Sequence, residues 1–344
     1  MKDKISIIIV NWNTKNETEQ AINSIYNNCT LKFEIILIDN NSQDKSYYYL
    51  KKHFPKIRLI RNPRNYGYAK ANNQGVKIAK NELILILNPD TQIQKNTIEK
   101  LVDFYKKNQS IGAVVSLLLN TNRSIQHFYH RRLPTVKFLL ASLIYNYTPY
   151  KNFPASKELF LLDLDFEKNT QIEQAAGVCI LTSKSTIKKI GGLFDNNLPI
   201  FLNDVDFSKR LKKGKLNIFL IPESKIIHTK SSSTNKLEPY TLRQESLLSH
   251  IYYFKKNHNL IIYIAIKAII TAMLFLLIIL TIFKITNTYL KTPITNRKES
   301  IKKQLDNLIA VIKEQRNHPG FIVNSKGQIF AKPKKPAIYL TNQI

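Results

Sequence analysis

Four short apolar runs punctuate the first ninety residues: ISIIIV (Ile5 to Val10), FEIILI (Phe33 to Ile38), IRLI (Ile57 to Ile60) and LILIL (Leu83 to Leu87). They are near-continuous stretches of β-branched residues and Leu, the pattern of strands covered on both faces, as in parallel sheets. Between them the pattern turns helical over 14–28, around 44–53, and over 69–79 and 95–107. The first of these opens with Thr14 and Glu17 in a capping-box arrangement. This alternation predicts βαβ units with right-handed crossovers, an α/β class whose ligands bind beyond the carboxyl ends of the strands. Farther on, Asp204 and Asp206 precede a helix that Gly214 ends, and a strand follows over 215–221. No domain boundary is expected before about Lys236, so 1–235 reads as one domain and 236–259 as a helical linker.

Residues 260–283 read LIIYIAIKAIITAMLFLLIILTIF, interrupted by the single charge of Lys267. As a helix, these 24 residues extend about 36 Å, enough for a hydrocarbon core of about 30 Å. The 16 residues after Lys267 reach only about 24 Å, which is marginal. A single-pass helix and a monotopic helix with Lys267 snorkelling both fit. A buried core helix is disfavoured, because the tail offers no evident sheath for so long an apolar run. Lys255 and Lys256 precede the segment and the basic tail 284–344, with KPKK at 332–335, follows it. Positive charge on both sides therefore sets no topology.

Over the whole chain, 52 Lys and Arg face 24 Asp and Glu, a formal charge of +28. This excess favours anionic partners. It is spread along the chain instead of forming a tail that would grip nucleic acid, so a phosphorylated small molecule and an anionic membrane surface are the expected partners, and nucleic acid is not. Two cysteines, Cys29 and Cys179, form no disulfide framework or zinc spacing and suit a reducing compartment. The opening MKDKISIIIVNWNT has too short an apolar core for a signal peptide, and the bulk of the protein is expected in the cytoplasm.

Polar residues follow every one of the four runs: Asn11-Trp12-Asn13, Asp39-Asn40-Asn41-Ser42, Arg61-Asn62-Pro63-Arg64-Asn65 and Asn88-Pro89-Asp90. One such end is ordinary turn chemistry. Four in succession, two with an Asp, argue for a polar ligand along one sheet edge.

The ordered fragments SIIIVNWNT, LIDNNSQD, RNYGYAKANNQG, LILNPDT, AAGVCILTSKSTIKKIGGLFD, NDVDFSKRLKKG and IPESKIIH resemble the family 2 glycosyltransferases, with the match strongest to bacterial rhamnosyltransferase-like enzymes. They cover about two-thirds of the chain. The resemblance implies a GT-A fold, Rossmann-like with a mostly parallel sheet flanked by helices, carrying a C-terminal membrane-associating helical region. It implies an inverting transfer of a sugar, such as rhamnose, from a UDP- or dTDP-linked donor to a polyprenyl-diphosphate-linked or glycan acceptor at the cytoplasmic face of the cell membrane.

By that resemblance Asp90 holds Mg²⁺ or Mn²⁺, which prefers oxygen ligands and bridges carboxylate to phosphate. Asn88 replaces the first acid of the metal motif and leaves a neutral oxygen donor. His228 matches a histidine that completes the metal or diphosphate site, a structural role being its alternative. Asp39 matches the base-binding acid, and Asn11 and Asn13 stand ready to hold the nucleotide. Asn65, Gly67, Tyr68, Ala69, Asn73 and Gly75 are in register with the family's N-x-G-F-A-x-G-x-N-x-G, with Ala71 in place of a glycine. Arg61 and Arg64 supply charge for the diphosphate. Asp204 occupies the position of the general base that an attacking hydroxyl requires. Asn203 replaces the preceding acid, which relieves like-charge crowding. Gly177 and Asp206 lie on the acceptor side, Asp206 within reach of Arg210 at i+4. Turn and helix-cap roles are the plain alternatives for Asp39 and Asp204.

Other classes fit less well. A processive synthase would need more apolar segments and a Q-x-x-R-W sequence, and a dinucleotide-dependent dehydrogenase would need G-x-G-x-x-G after the first strand. An inactive sugar-nucleotide-binding module is the remaining alternative, suggested by Ala71, Asn88 and Asn203.

Overall fold

The computed structural model describes residues 3–107, 109–127, 129, 130, 132–138, 158, 164–229, 239–282, 294–314, 322, 323, 329 and 330. The basic KPKK stretch and 139–157 and 159–163 lie outside them. Two compact units emerge: Met1–Asn62 with Tyr68–Leu237, and Pro63–Gly67 with Glu238–Ile344.

In the first unit, β1 (Lys4–Asn11), β2 (Lys32–Asp39), β3 (Arg58–Arg61) and β4 (Leu83–Leu87) are the four expected strands. They pair in parallel in the order β3-β2-β1-β4. Their continuous apolar character follows from burial on both faces. Ile8, Val10, Ile36, Ile38, Ile84 and Ile86 fill one core layer, while Ile5, Ile7, Ile9, Ile35, Leu37 and Leu85 fill the other. Successive side chains alternate between layers, and each fully buried Ile contributes roughly 1.5–3 kcal/mol. Helix α1 (Lys15–Asn28) places Ile22 and Ile25, and α4 (Thr97–Tyr105) places Ile98 and Leu101, on the second layer. Helix α3 (Tyr68–Ile78) covers the first with Ala69 and Ala71. A Cβ on Gly75 would lie 2.5 Å from Ile8 Cγ2, so only glycine lets α3 approach β1 there. Helix α2 (Ser46–His53) completes the β2–β3 crossover.

Beyond β4 the sheet becomes mixed. β8 (Cys179–Ser183) runs antiparallel to both β4 and β6 (Ile111–Leu119); β6 is parallel to β9 (Asn217–His228), to which β5 (Thr91–Ile93) and β7 (Thr170–Ile172) are antiparallel. The parallel pattern thus holds for the first half of the sheet and for β6 and β9. Two local expectations are corrected. The strand expected over 215–221 starts at Asn217 and continues to His228, its register with β6 shifting between Ser116 and Leu117. Thr14 is the N-cap of α1 but forms no capping bond, because its Oγ1 donates to Asn11 Oδ1 at 2.8 Å. Helices α5 (Lys184–Lys189) and α6 (Asn203–Lys213) flank the β8–β9 connection.

The second unit holds α7 (Pro239–Asn257), α8 (Leu260–Ile282) and α9 (Ile294–Lys313), with a short antiparallel ribbon of β10 (Ile322–Val323) and β11 (Ile329–Phe330). Among the described residues no helix is long and apolar enough to cross a membrane, so the single-pass expectation for 260–283 finds no support. The expectation that the tail offers no sheath is also corrected, because α8 buries Ile266, Ile270 and Leu274 and pairs with α9. Lys267 is met by Glu314 at 2.8 Å. Lys255 and the Tyr263 hydroxyl contact the same carboxylate, which these partners hold down to about 2 against its burial.

Candidate active site

The strand register brings three polar residues level at one edge, Asn11 beside Asp39 and Asp39 beside Arg61. Asn11 and Asp39 are buried and bonded to each other, Asn11 Nδ2 donating to Asp39 Oδ1 at 2.8 Å. Asn11 Nδ2 also donates to Ser42 and Ser46 Oγ, and its Oδ1 accepts from Thr14 and Thr18. The Asn11 amide is therefore the hub of a buried network. Asp39 Oδ2 accepts from the Ser42 amide at 3.2 Å, and two carboxylate oxygens retain further acceptor capacity. Asn13, at φ 57°, accepts from the Gln43 amide and donates its own amide to Ser42 Oγ, which shapes the loop above Asp39. Arg61 lies against the rings of Tyr47 and Tyr48, two neighbours that sequence reasoning did not single out.

The turn Asn88-Pro89-Asp90 leads from β4 into β5, and the pairing of β5 with β9 sets Thr91 opposite His228. Asp90 Oδ1 and His228 Nε2 consequently lie 3.3 Å apart, both buried. Gln126 Nε2 donates to the His228 carbonyl, which turns Gln126 Oε1 toward His228 Nδ1 at 3.0 Å. An amide oxygen only accepts, so Nδ1 carries the proton. A neutral His228 then presents the Nε2 lone pair to a carboxylate oxygen. That approach is repulsive unless a cation, either a second proton or a metal ion, joins the two. Asn88 Oδ1 is buried without a hydrogen-bond partner among the described residues. Among them no group of three His, Cys, Asp or Glu side chains forms a complete metal site. Two or three protein ligands nevertheless suit an ion that also takes phosphate oxygens and water.

Asp204 opens α6. Its Oδ1 accepts from the Val205 amide at 2.8 Å and its Oδ2 from the Gly177 amide at 2.9 Å. Gly177 is held in turn by Tyr68, whose hydroxyl donates to its carbonyl at 2.6 Å. Burial raises the Tyr68 pKa, with the nearby charges of Asp204 and Asp90 adding to it, so the hydroxyl keeps its proton. One phenol thus stands within the field of both carboxylates. His130 supports the same turn: its Nδ1 accepts from the Ala176 amide at 3.2 Å, and Nε2 donates to the Ser116 carbonyl at 3.3 Å. Burial lowers its pKa to about 4. Neither role was visible in the sequence, where Tyr68 stood for a family Phe.

Other candidates lie in structural contacts. Asp206 is buried on Arg210, 2.8 Å from its Nε, and Arg210 also donates to the Ile190, Gly192 and Leu193 carbonyls. Asn203 donates to the Leu198 and Ile200 carbonyls. Asn73 brackets Phe194, donating to its carbonyl and accepting from its amide. Arg64, Asn65 and Gly67 belong to the stretch grouped with the second unit. There Asn65 Oδ1 accepts from the Gly67 amide at 2.9 Å, and the Arg64 guanidinium lies over Tyr66. Gly67, at φ 82°, occupies the left-handed region that glycine enters without strain.

A half-parallel sheet with acidic residues at its carboxyl edge defines an α/β protein of the GT-A type. The family model Glycosyl transferase family 2 matches residues 6–188, more than half of the 344, and the chain belongs to this family of glycosyltransferases. It is 21% identical over 248 residues to N-acetylglucosaminyl-diphospho-decaprenol L-rhamnosyltransferase of Mycobacterium tuberculosis, covering 69% of this chain and 79% of that one. It is 25% identical over 246 residues to the low-salt glycan biosynthesis hexosyltransferase Agl10 of Haloferax volcanii, covering 69% and 71%. Among solved structures it resembles GalNAc-T7 with UDP, GalNAc and Mn²⁺, with a TM-score of 0.50 at 17% identity over 67% of this chain and 45% of that one. That likeness bears on the fold.

Proposed function

We propose that the chain is an inverting, divalent-metal-dependent glycosyltransferase. It moves a sugar from a UDP- or dTDP-linked donor to a polyprenyl-diphosphate-linked acceptor at the cytoplasmic face of a membrane. L-Rhamnose is the first sugar to test, given the relative from Mycobacterium tuberculosis. The observation that carries this reading is the Asp90–His228 pair at 3.3 Å with the Tyr68 phenol linking its field to that of Asp204.

In this reading Asp39 accepts from the nucleobase, and Asn11 and Ser42 hold its carboxylate in place. Asp90, His228 and the unpaired Asn88 oxygen hold Mg²⁺ or Mn²⁺. When bound, the ion offsets the charge that develops on the departing diphosphate. Asp204 takes the proton of the acceptor hydroxyl as it attacks the anomeric carbon. The Gly177 and Val205 amides fix the carboxylate in one orientation while leaving lone pairs for that proton. A single displacement of this kind inverts the anomeric centre. Asp206, bound to Arg210, keeps the start of α6 and the Gly191–Leu193 turn together.

The test is nucleotide release. The protein is incubated with UDP-, dTDP- and GDP-sugars, a crude lipid extract as acceptor, and Mg²⁺, Mn²⁺ or EDTA. Release with one donor, stimulated by metal and dependent on lipid, is the expected result. An inactive binding module predicts no release with any donor.

A second expectation concerns Tyr68. Tyr68→Phe removes only the hydroxyl that holds the Gly177 carbonyl, a hydrogen bond of about 1–1.5 kcal/mol. If that bond positions Asp204, kcat should fall about tenfold while the donor KM stays near that of the parent and the melting temperature drops by only a few degrees. An unchanged kcat would make the bond purely structural.

A further inference from the structure

The polarity of the C-terminal unit is partly inverted. Helix α7 buries Gln244, Glu245 and Ser249, and α9 buries Gln304 and Asn307, side chains that a water-facing bundle normally turns outward. Apolar residues stand on the outside instead. Ile261, Ile264 and Phe275 of α8 and Leu305, Ile309 and Ile312 of α9 are between 42% and 78% exposed. Because α8 buries Ile266, Ile270 and Leu274 on its other side, it is apolar on both faces, and α9 covers only one. A shallow groove of ≈ 810 Å³ between Ile264, Ala268, Phe275, Leu308 and Ile312 runs along the pair. Soluble monomers rarely leave so continuous an apolar surface in water.

We propose that this face docks on an anionic lipid bilayer, with α8 and α9 lying in the membrane plane and their outer side chains among the acyl chains. The proposal deepens the membrane-face reading above and names the surface responsible. Charge selects lipid as the occupant. Lys302 and Lys313 are exposed and flank the Leu305–Ile309–Ile312 stripe at i+3 and i+4 spacing, where lipid phosphates would meet them. A second copy of a chain carrying +28 would set the same lysines against each other. The one charge within α8 is already met, since Lys267 pairs with Glu314, so insertion of that face leaves no isolated cation. From Ile261 to Leu276 the exposed positions extend about 22 Å along the helix, a stripe to lie within an interface.

The test is vesicle flotation of the full chain with phosphatidylglycerol-containing and pure phosphatidylcholine vesicles. The parent should float with the anionic vesicles and at least about tenfold less with the neutral ones. Ile264→Glu combined with Phe275→Glu, two exposed positions, should lower flotation on anionic vesicles by at least about tenfold. Lys302→Glu with Lys313→Glu should remove the preference for anionic lipid. Circular dichroism and metal-dependent donor binding, both expected to be unchanged, confirm that the variants are folded. Flotation of the Ile264/Phe275 variant equal to the parent's overturns the proposal. So does a parent dimer that this variant converts to monomer without vesicle binding, which would make a second copy the occupant. Flotation is read without any transfer reaction, so failure of the glycosyl-transfer reading leaves this result standing, and the converse also holds.

Discussion

Asp204→Asn should lower kcat by about a thousandfold or more and leave the donor dissociation constant within about twofold of the parent's. Removal of a positioned general base costs on the order of 10²–10⁴ in rate, and here no other described carboxylate shares the Gly177 turn. The substitution is nearly isosteric, yet an amide cannot reproduce both carboxylate contacts. Asp204 accepts from two backbone amides, Val205 at 2.8 Å and Gly177 at 2.9 Å. In the variant one of these N–H groups must face an NH₂ group, so a stability loss of about 1 kcal/mol accompanies the rate loss. The two effects separate cleanly. A structural role alone would move the melting temperature and change rate only in proportion to the folded fraction. Single-turnover transfer rates measured beside calorimetric titration of the donor decide between them. A variant with full activity would remove Asp204 from the chemistry and leave a structural role, bonding the Val205 and Gly177 amides, as the better account of it.

The contrast between what the sequence revealed and what it concealed follows from the range of the forces involved. β1 to β4 were legible because burial on both faces writes itself into consecutive residues, such as Ile5 to Val10. The acidic strand ends were legible for the same reason: a parallel sheet puts every carboxyl end on one edge, so Asp39 and Asp90 could be grouped without knowledge of the pairing. What failed to show was pairing between distant segments. The β5–β9 ladder that brings Asp90 to His228 joins a three-residue strand to one more than a hundred positions later, and no local pattern encodes such a match. Gln126, His130 and the Tyr68 hydroxyl act only through bonds made across the fold. Thr14 shows the opposite error, a local capping signal overridden because Asn11 offered a buried acceptor. The same principle governs α8, whose sheath could not be foreseen because α9 comes from a stretch that looked only basic.

Asp90→Ala should abolish the metal-dependent part of donor affinity, weakening donor binding in Mg²⁺ or Mn²⁺ by on the order of a hundredfold, about 2.7 kcal/mol. In EDTA, parent and variant should bind alike. This expectation follows from the geometry of His228. With its Nδ1 proton directed at Gln126, its Nε2 lone pair faces the Asp90 carboxylate at 3.3 Å, an approach that a cation held by both would relieve. If that cation is a divalent ion, alanine removes its only carboxylate ligand among these residues, leaving His228 and the neutral Asn88 oxygen, a set too weak for a hard ion. If it is instead a second proton, donor affinity in the parent should already be indifferent to metal, and alanine should leave it unchanged. Titrating donor into both proteins with and without EDTA therefore separates the two. Equal metal stimulation in parent and variant would take the ion away from Asp90 altogether. Gln126→Leu sharpens the result, because it frees Nδ1 from its acceptor without touching a ligand. It should weaken metal-stimulated binding by roughly tenfold, in line with loss of an outer-shell partner, while leaving binding in EDTA unchanged. A structural role for Gln126 alone would lower both equally. The metal reading thus predicts a graded pair of losses at two residues that lie 36 positions apart in sequence and meet only through β9.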